Sequence, residues 1–175
     1  MKTNAITYWL VPAEPARGFF QDLINDLARR YEAPGFEPHM TIHVGLNRFH
    51  IAQKVTAKAA VCCGRIEVKT LEVNHSSEFT KTLFVQFALN AKLSRLNKII
   101  RSAAEDSSDY QFKPHLSLLY KKMSVSQRRQ LAHSIKLPFS HVVFDSVKAV
   151  RCLSPTRRRV EVEGWHVVAA SLLSG

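Results

Sequence analysis

Phe36-Glu37-Pro38-His39-Met40-Thr41-Ile42-His43 is a stretch that the chain nearly repeats at residues 112–119, as Phe112-Lys113-Pro114-His115-Leu116-Ser117-Leu118-Leu119. Both copies fit the pattern Phe-x-Pro-His-x-(Thr/Ser)-apolar. Proline disfavours helix in the residue before it, and the alternation of apolar and polar residues after each histidine is typical of a strand. Positions i and i+2 of a strand share a face, so each copy presents an imidazole beside a hydroxyl: His39 with Thr41, and His115 with Ser117.

The context of the two copies is also duplicated. Apolar runs around Tyr8 and Phe84 each precede a motif histidine by 31 residues (39 − 8 and 115 − 84). Between run and motif, residues 15–31 and 92–105 carry apolar side chains at helical spacing. The sequence therefore predicts two strand-helix-strand units, about residues 5–50 and 81–122. We expect them to form two pseudo-symmetric lobes of a single domain spanning residues 1–175, with the histidine strands facing each other.

The rest of the chain alternates between helix and strand patterns. Residues 51–60 and 124–135 are predicted helices, and residues 65–73, 141–153 and 159–172 are predicted strands, the last two forming a hairpin. Ser124 or Ser126 is the expected N-cap of the second of these helices. The fold class is α+β, a bilobal, pseudo-twofold arrangement with antiparallel or mixed sheets around a central cleft.

A formal net charge of +11 favours anionic partners, although solubility alone is a sufficient explanation for such a surplus. One hypothesis is that the run Arg157-Arg158-Arg159 contacts RNA phosphates beyond the reacting one. No apolar stretch approaches the ~20 residues of a membrane-spanning helix, and we expect no signal segment before the first strand. We expect a cytoplasmic monomer without a membrane partner. Its three cysteines are expected to be reduced, with a bridge from Cys152 to Cys62 or Cys63 as the alternative.

Two histidines with neighbouring hydroxyls suit displacement at phosphorus. One imidazole can remove a proton from the attacking oxygen, and the other can protonate the leaving oxygen. The hydroxyls can donate hydrogen bonds to the non-bridging phosphate oxygens, and no metal or cofactor is needed. A metal site made from His39 and His43 is the alternative, but no clear third ligand is nearby in the sequence. His43 has no counterpart in the second copy, so we interpret it as a structural neighbour.

The doubled motif resembles the two-histidine (2H) phosphoesterase superfamily, and within it Pro38-His39-Met40-Thr41 and Pro114–Tyr120 are most similar to cyclic phosphodiesterases described from plants. The Trp9-Leu10-Val11-Pro12 opening resembles that group too. The resemblance implies a bilobal fold with a positively charged central cleft. It also implies that His39 and His115 are the acid–base pair, that Thr41 and Ser117 hold the phosphate, and that Tyr120 lines the substrate site. His43 and the cysteine pattern depart from the plant group.

The predicted function is therefore metal-independent hydrolysis of a cyclic phosphodiester by the two histidines. As the resemblance implies, the substrates are 2′,3′-cyclic phosphates of nucleotides or RNA ends, or ADP-ribose 1″,2″-cyclic phosphate. The expected partner is thus an anionic small-molecule nucleotide or an RNA end. The alternative is a nucleotide- or RNA-binding module of the same fold without significant turnover. Intact histidines and hydroxyls in both copies favour the enzyme, since a pure binder has no need of two proton-transfer groups.

Overall fold

Seven strands form one antiparallel sheet in the computed structural model, which describes residues 1–175, and five α-helices pack against that sheet. The strands are β1 (Thr3–Pro12), β2 (Met40–Leu46), β3 (Ile66–His75), β4 (Leu83–Phe87), β5 (His115–Leu119), β6 (His141–Ser154) and β7 (His166–Leu172). The helices are α1 (Ala16–Tyr31), α2 (Ala52–Cys62), α3 (Ala91–Ala103), α4 (Val125–Ser134) and α5 (Arg159–Glu163).

The sheet closes on itself through its longest strand. Its order is β1-β2-β5-β4-β3-β6-β7, with a further pairing of β1 with β6. The 14 residues of β6 are enough to pair with β1 along most of its length and also with β3 and β7 at different points. The two motif strands, β2 and β5, are neighbours, second and third in this order.

Each of the two connecting helices packs behind the other unit's motif strand. Helix α1 follows β1 and packs against β5, whereas α3 follows β4 and packs against β2. Apolar side chains at helical spacing make these contacts, and all are fully buried: Phe20, Ile24 and Leu27 in α1, and Leu93, Leu96 and Ile100 in α3. Full burial of one such side chain is worth about 1.5–3 kcal/mol, so these helices hold β2 and β5 firmly in place.

The α+β fold class and the order of elements in the duplicated units are confirmed, and every strand pairing is antiparallel. Ser124 is the N-cap of α4, and its hydroxyl forms a capping box with Gln127. The prediction of one strand over residues 159–172 is wrong, because Arg159–Glu163 is a helix and β7 begins only at His166. There the carboxylate of Glu161 accepts a hydrogen bond from the Arg157 backbone N–H and binds the Arg158 guanidinium. Residues 159–163 alternate between apolar and polar side chains, which is the pattern typical of a strand, although they form a helix.

None of the helices combines the length and the apolar character that crossing a membrane requires.

The three cysteines are all free thiols, so the alternative of a bridge from Cys152 is not formed.

Candidate active site

A single residue pair, Met40 with Leu116, joins β2 to β5. Both side chains are fully buried in the core. Because side chains alternate across a strand, the residues on either side of this pair point to the opposite face. That face carries the four polar side chains of the two motifs: His39, Thr41, His115 and Ser117. All four line one cleft of about 680 Å³, so the fold brings the predicted residues together.

Both histidine rings are held by the same local hydrogen bond. His39 Nδ1 lies 2.7 Å from the Glu37 carbonyl oxygen, and His115 Nδ1 lies 2.8 Å from the Lys113 carbonyl oxygen. A carbonyl can only accept, so Nδ1 is the protonated nitrogen in each ring. The lone pair of each neutral imidazole is then on Nε2. This leaves Nε2 as the atom of each ring that can exchange a proton with a bound molecule.

Burial favours the neutral form of both rings. It lowers the pKa of His39 to about 3, with the proximity of His115 acting in the same direction and the Glu37 carbonyl acting against it. Burial also lowers the pKa of His115, and there Lys81 adds to the effect while the Lys113 carbonyl and Glu78 oppose it. In the free protein at neutral pH, both imidazoles are therefore neutral.

Aromatic side chains enclose His39. The Trp9 ring stacks on it with centroids 3.7 Å apart and planes at 11°, and Trp165 meets it edge-on at 5.9 Å. Phe36 stacks on Tyr120 at 3.9 Å, and the edges of both rings face Trp165. This aromatic enclosure excludes water from one side of His39, which is the physical origin of its large pKa shift.

The strand register shows how the duplication is built. Trp9 of β1 lies opposite Thr41, and Phe84 of β4 lies opposite Ser117. Each strand has a register irregularity immediately before its aromatic residue, between Tyr8 and Trp9 and between Leu83 and Phe84. By strand register, Trp9 is therefore the residue equivalent to Phe84. Equal spacing along the sequence suggests its neighbour Tyr8 instead.

The two hydroxyls are in different situations. Ser117 Oγ donates to the Thr80 carbonyl at 2.7 Å, so its one proton already has an acceptor in the free protein. Thr41 also lines the cleft, and the Tyr110 hydroxyl donates to its backbone carbonyl at 3.3 Å, not to its side chain. A phosphate in the cleft can take a hydrogen bond from Thr41 directly. A bond from Ser117 requires its hydroxyl to turn away from Thr80.

His43 is an anchor for the loop that follows α3. Its fully buried ring places Nε2 3.0 and 3.1 Å from the two carboxylate oxygens of Asp106. Gly45 makes room for this carboxylate, because a Cβ at that position would overlap it. The Ser108 hydroxyl fixes the same loop by donating to the Val44 carbonyl at 2.6 Å. His43 therefore binds a carboxylate of the protein itself through Nε2, while its buried Nδ1 has no hydrogen-bond partner.

No group of three or more histidine, cysteine, aspartate or glutamate side chains is arranged to hold a metal ion. The alternative of a metal bound by His39 and His43 would need a third protein ligand. The Asp106 carboxylate, which lies beside His43, is hydrogen-bonded to the His43 imidazole.

The lining of the cleft is not uniformly basic. The lining contains two lysines, Lys81 and Lys113, and two acidic residues, Glu78 and Asp109. The expectation of a positively charged cleft is therefore wrong for the lining residues taken together. The two lysines lie on the side of His115, since Lys81 acts on the pKa of His115 and Lys113 is two residues before it. Glu78 also acts on the pKa of His115, in the opposite direction, so the charges beside the second motif are of both signs.

A family model described as "Cyclic phosphodiesterase-like protein" matches residues 3–173. The chain belongs to that family. A curated relative, the "Cyclic phosphodiesterase" of Arabidopsis thaliana, is 21% identical over 180 residues that cover 99% of this chain and 98% of the relative. Membership in the cyclic phosphodiesterase-like family makes the chain a phosphodiesterase. It agrees with the resemblance of the doubled motif to the 2H phosphoesterases.

Solved structures share the fold of this cyclic phosphodiesterase-like chain. E. coli LigT complexed with 3′-AMP matches with a TM-score of 0.60 at 10% identity, covering 98% of this chain and 99% of LigT. The protein TT0787 of Thermus thermophilus also matches with a TM-score of 0.60, at 13% identity and 98% coverage of both chains. At this level of identity the likeness concerns the fold alone.

The cleft of this cyclic phosphodiesterase-like protein includes the predicted Tyr120, whose buried phenol forms part of the wall. Burial raises the pKa of that phenol, so it is uncharged at any physiological pH. Sequence reasoning missed Trp165 and Tyr110, which belong to no repeated pattern. In the sequence, Trp9 stands out only through the family resemblance. In the structure it lies opposite Thr41 and its ring stacks on His39.

Proposed function

We propose that the protein hydrolyses the 2′,3′-cyclic phosphates of nucleotides or RNA ends, or ADP-ribose 1″,2″-cyclic phosphate, without a metal ion. The observation that carries this proposal is the pair of imidazoles in one cleft, each bound through Nδ1 to a backbone carbonyl and each free at Nε2. Such a pair can supply one base and one acid to the same phosphate.

In this reaction, one neutral imidazole takes a proton from water as the water oxygen attacks phosphorus. The bond from phosphorus to one ribose oxygen breaks, and the other imidazole, in its protonated form, gives its proton to that oxygen. The product is a phosphate monoester beside a free hydroxyl. Because burial disfavours both imidazolium ions in the free enzyme, the negative charge of the bound phosphate is what favours protonation of the acid.

Thr41 and Ser117 are proposed to donate hydrogen bonds to the non-bridging oxygens, where charge develops. Lys81 and Lys113 are proposed to contact the anionic substrate on the side of His115, where Glu78 partly offsets their charge. The name of the Arabidopsis relative and the E. coli LigT complexes with 3′-AMP and with ATP support an anionic nucleotide as the ligand class.

We also propose that the enzyme works as a cytoplasmic monomer. One chain contributes both histidines and both hydroxyls, so the site is complete without a partner. The three free thiols fit a reducing compartment.

The test is a substrate panel in the presence of EDTA. It contains the four nucleoside 2′,3′-cyclic phosphates, an RNA with a cyclic-phosphate end, and ADP-ribose 1″,2″-cyclic phosphate, and the products are resolved into 2′- and 3′-phosphates. Turnover that EDTA does not reduce and that added zinc or magnesium does not raise supports the proposal. Binding of these compounds without turnover would support the nucleotide-binding module instead. Turnover that a chelator abolishes and a metal restores would contradict the two-histidine mechanism.

A further inference from the structure

A second groove of about 580 Å³ continues from the active-site cleft at His115. Both cavities are lined by His115, Lys81 and Lys113, so the groove adjoins the cleft at these three residues. The aromatic rings around His39 form a wall of the cleft, whose lining also includes Thr3, Asn4 and Thr156. The groove at His115 gives a substrate longer than one nucleotide a place to extend, and its apolar wall and charge distinguish it from the rest of the cleft.

The wall of this groove is apolar and continues the face of the sheet that carries the second motif. Gln86 lies opposite His115 in the pairing of β4 with β5, and Phe84 lies opposite Ser117, so these side chains share one face. Leu71 and Leu89 form the outer part of the wall and are 49% and 58% exposed. Apolar side chains left open beside a cleft offer a surface on which a flat ring can pack.

The charge of the groove differs from that of the cleft. Its lining contains two lysines and no acidic side chain, whereas the cleft also contains Glu78 and Asp109. The Lys81 ammonium lies 4.6 Å from the centre of the Phe84 ring, at the junction of the two cavities. Two cations at the entrance of an apolar groove match the alternation of phosphate and base along a single strand of nucleic acid.

We propose that this groove binds the nucleotide on the 5′ side of the terminal cyclic phosphate in a single-stranded RNA. The inference rests on the proposed function, since it takes the cyclic phosphate to lie between His39 and His115. The preceding base packs on the exposed apolar wall formed by Leu71 and Leu89, and the linking phosphodiester lies near Lys81 and Lys113. The substrate class is therefore an RNA oligonucleotide end in preference to a free mononucleotide.

The experiment compares adenosine 2′,3′-cyclic phosphate with a triadenylate that ends in the same cyclic phosphate. For the wild type, the triadenylate should show a KM at least about 5-fold lower, the lower end of the range for one base packed on an aromatic side chain, because the exposed wall is aliphatic. Its kcat/KM should also fall more steeply with salt, because more than one phosphate is contacted.

The variant Leu71→Glu/Leu89→Glu places two carboxylates in the groove at positions that are exposed, so it should fold. It should lose most of the triadenylate advantage and leave the KM for the mononucleotide within about twofold. The matched control is Val61→Glu/Leu172→Glu, which adds the same charge at positions 86% and 77% exposed and away from both cavities. The control should keep the advantage. Leu71→Gln/Leu89→Gln, which removes the apolar wall without adding charge, should give an intermediate loss.

The outcomes separate the two proposals. Hydrolysis of both compounds with equal KM in the wild type would overturn the groove assignment and leave the proposed function in place. An equal rise in KM for both substrates in the groove variant would also overturn it. Failure of every compound to turn over would contradict the proposed function itself, and with it the inference that depends on it.

Discussion

Trp9 stacks face to face on His39 with ring centroids 3.7 Å apart, whereas Phe84, its equivalent in the other motif, meets His115 edge-on at 5.5 Å. The two aromatic residues have the same register position, each opposite a motif hydroxyl. The duplicated framework is thus shared, but the environments of the two imidazoles have diverged. One histidine is enclosed by aromatic rings, and the other lies beside two lysines, Glu78 and an open groove.

The two hydroxyls should contribute unequally to catalysis. Thr41→Val should lower kcat by roughly 10- to 10³-fold, the range for loss of one oxyanion donor. Ser117→Ala should cost less, because the Ser117 proton is already donated to the Thr80 carbonyl in the free enzyme. Steady-state kinetics on a nucleoside 2′,3′-cyclic phosphate measures both. A larger loss in Ser117→Ala than in Thr41→Val would show that the Ser117 hydroxyl is the main phosphate ligand.

The pH dependence of kcat/KM should reflect the lowered pKa values of both histidines. The base must be neutral and the acid must be protonated, and kcat/KM reports these groups in the free enzyme. Since burial lowers the pKa of His39 and of His115, both limbs of the bell should shift to the acid side, with an optimum below pH 6.5. The two limbs belong to the pair as coupled macroscopic values.

The corresponding profile of kcat should lie at higher pH, because the phosphate bound in the complex stabilises an imidazolium ion. Measuring both profiles with one substrate provides the comparison. A kcat/KM optimum above pH 7, or profiles of kcat and kcat/KM that coincide, would contradict the assignment of buried neutral imidazoles to the free enzyme.

Loss of His43 should reduce stability far more than catalysis. His43→Ala leaves the buried Asp106 carboxylate without its imidazole partner, and the loss of a hydrogen-bond partner by a buried acceptor costs about 1–3 kcal/mol. The free energy of unfolding in urea should fall by that amount, while kcat of the folded enzyme changes little. His133→Ala, at an exposed position, is the control and should change neither quantity. A loss of kcat as large as that for a motif histidine would place His43 in the catalytic machinery.

The sequence predicted the motif strands and their shared face because these depend on local rules. Proline before each histidine and the alternation of apolar residues determine which side chains accompany His39 and His115 on one face. The helices α1 and α3 were predicted equally well, since each buries a stripe of apolar residues against the sheet. These features need no knowledge of distant parts of the chain.

Other features depend on contacts that the sequence does not display. The register irregularities beside Trp9 and Phe84 shift one strand against its neighbour, so equal spacing along the chain selected Tyr8 in place of Trp9. The pairing of His43 with Asp106 joins residues from two different units. In the run of arginines at residues 157–159, Arg158 and Arg159 are engaged with Glu161 and Glu163. This pairing leaves less free charge for RNA than the sequence indicates, and the contact of this run with RNA stays a prediction.

The central claim is that His39 and His115 act together as the acid–base pair, and the most direct measurement is kcat/KM of their alanine variants on adenosine 2′,3′-cyclic phosphate in EDTA. Each single variant should lose about 10²- to 10⁴-fold. The double variant should lose much less than the product of the two losses, because the histidines serve one reaction as a unit. His133→Ala should match the wild type. Single variants within tenfold of the wild type, or a double variant that loses the full product, would contradict the two-histidine account.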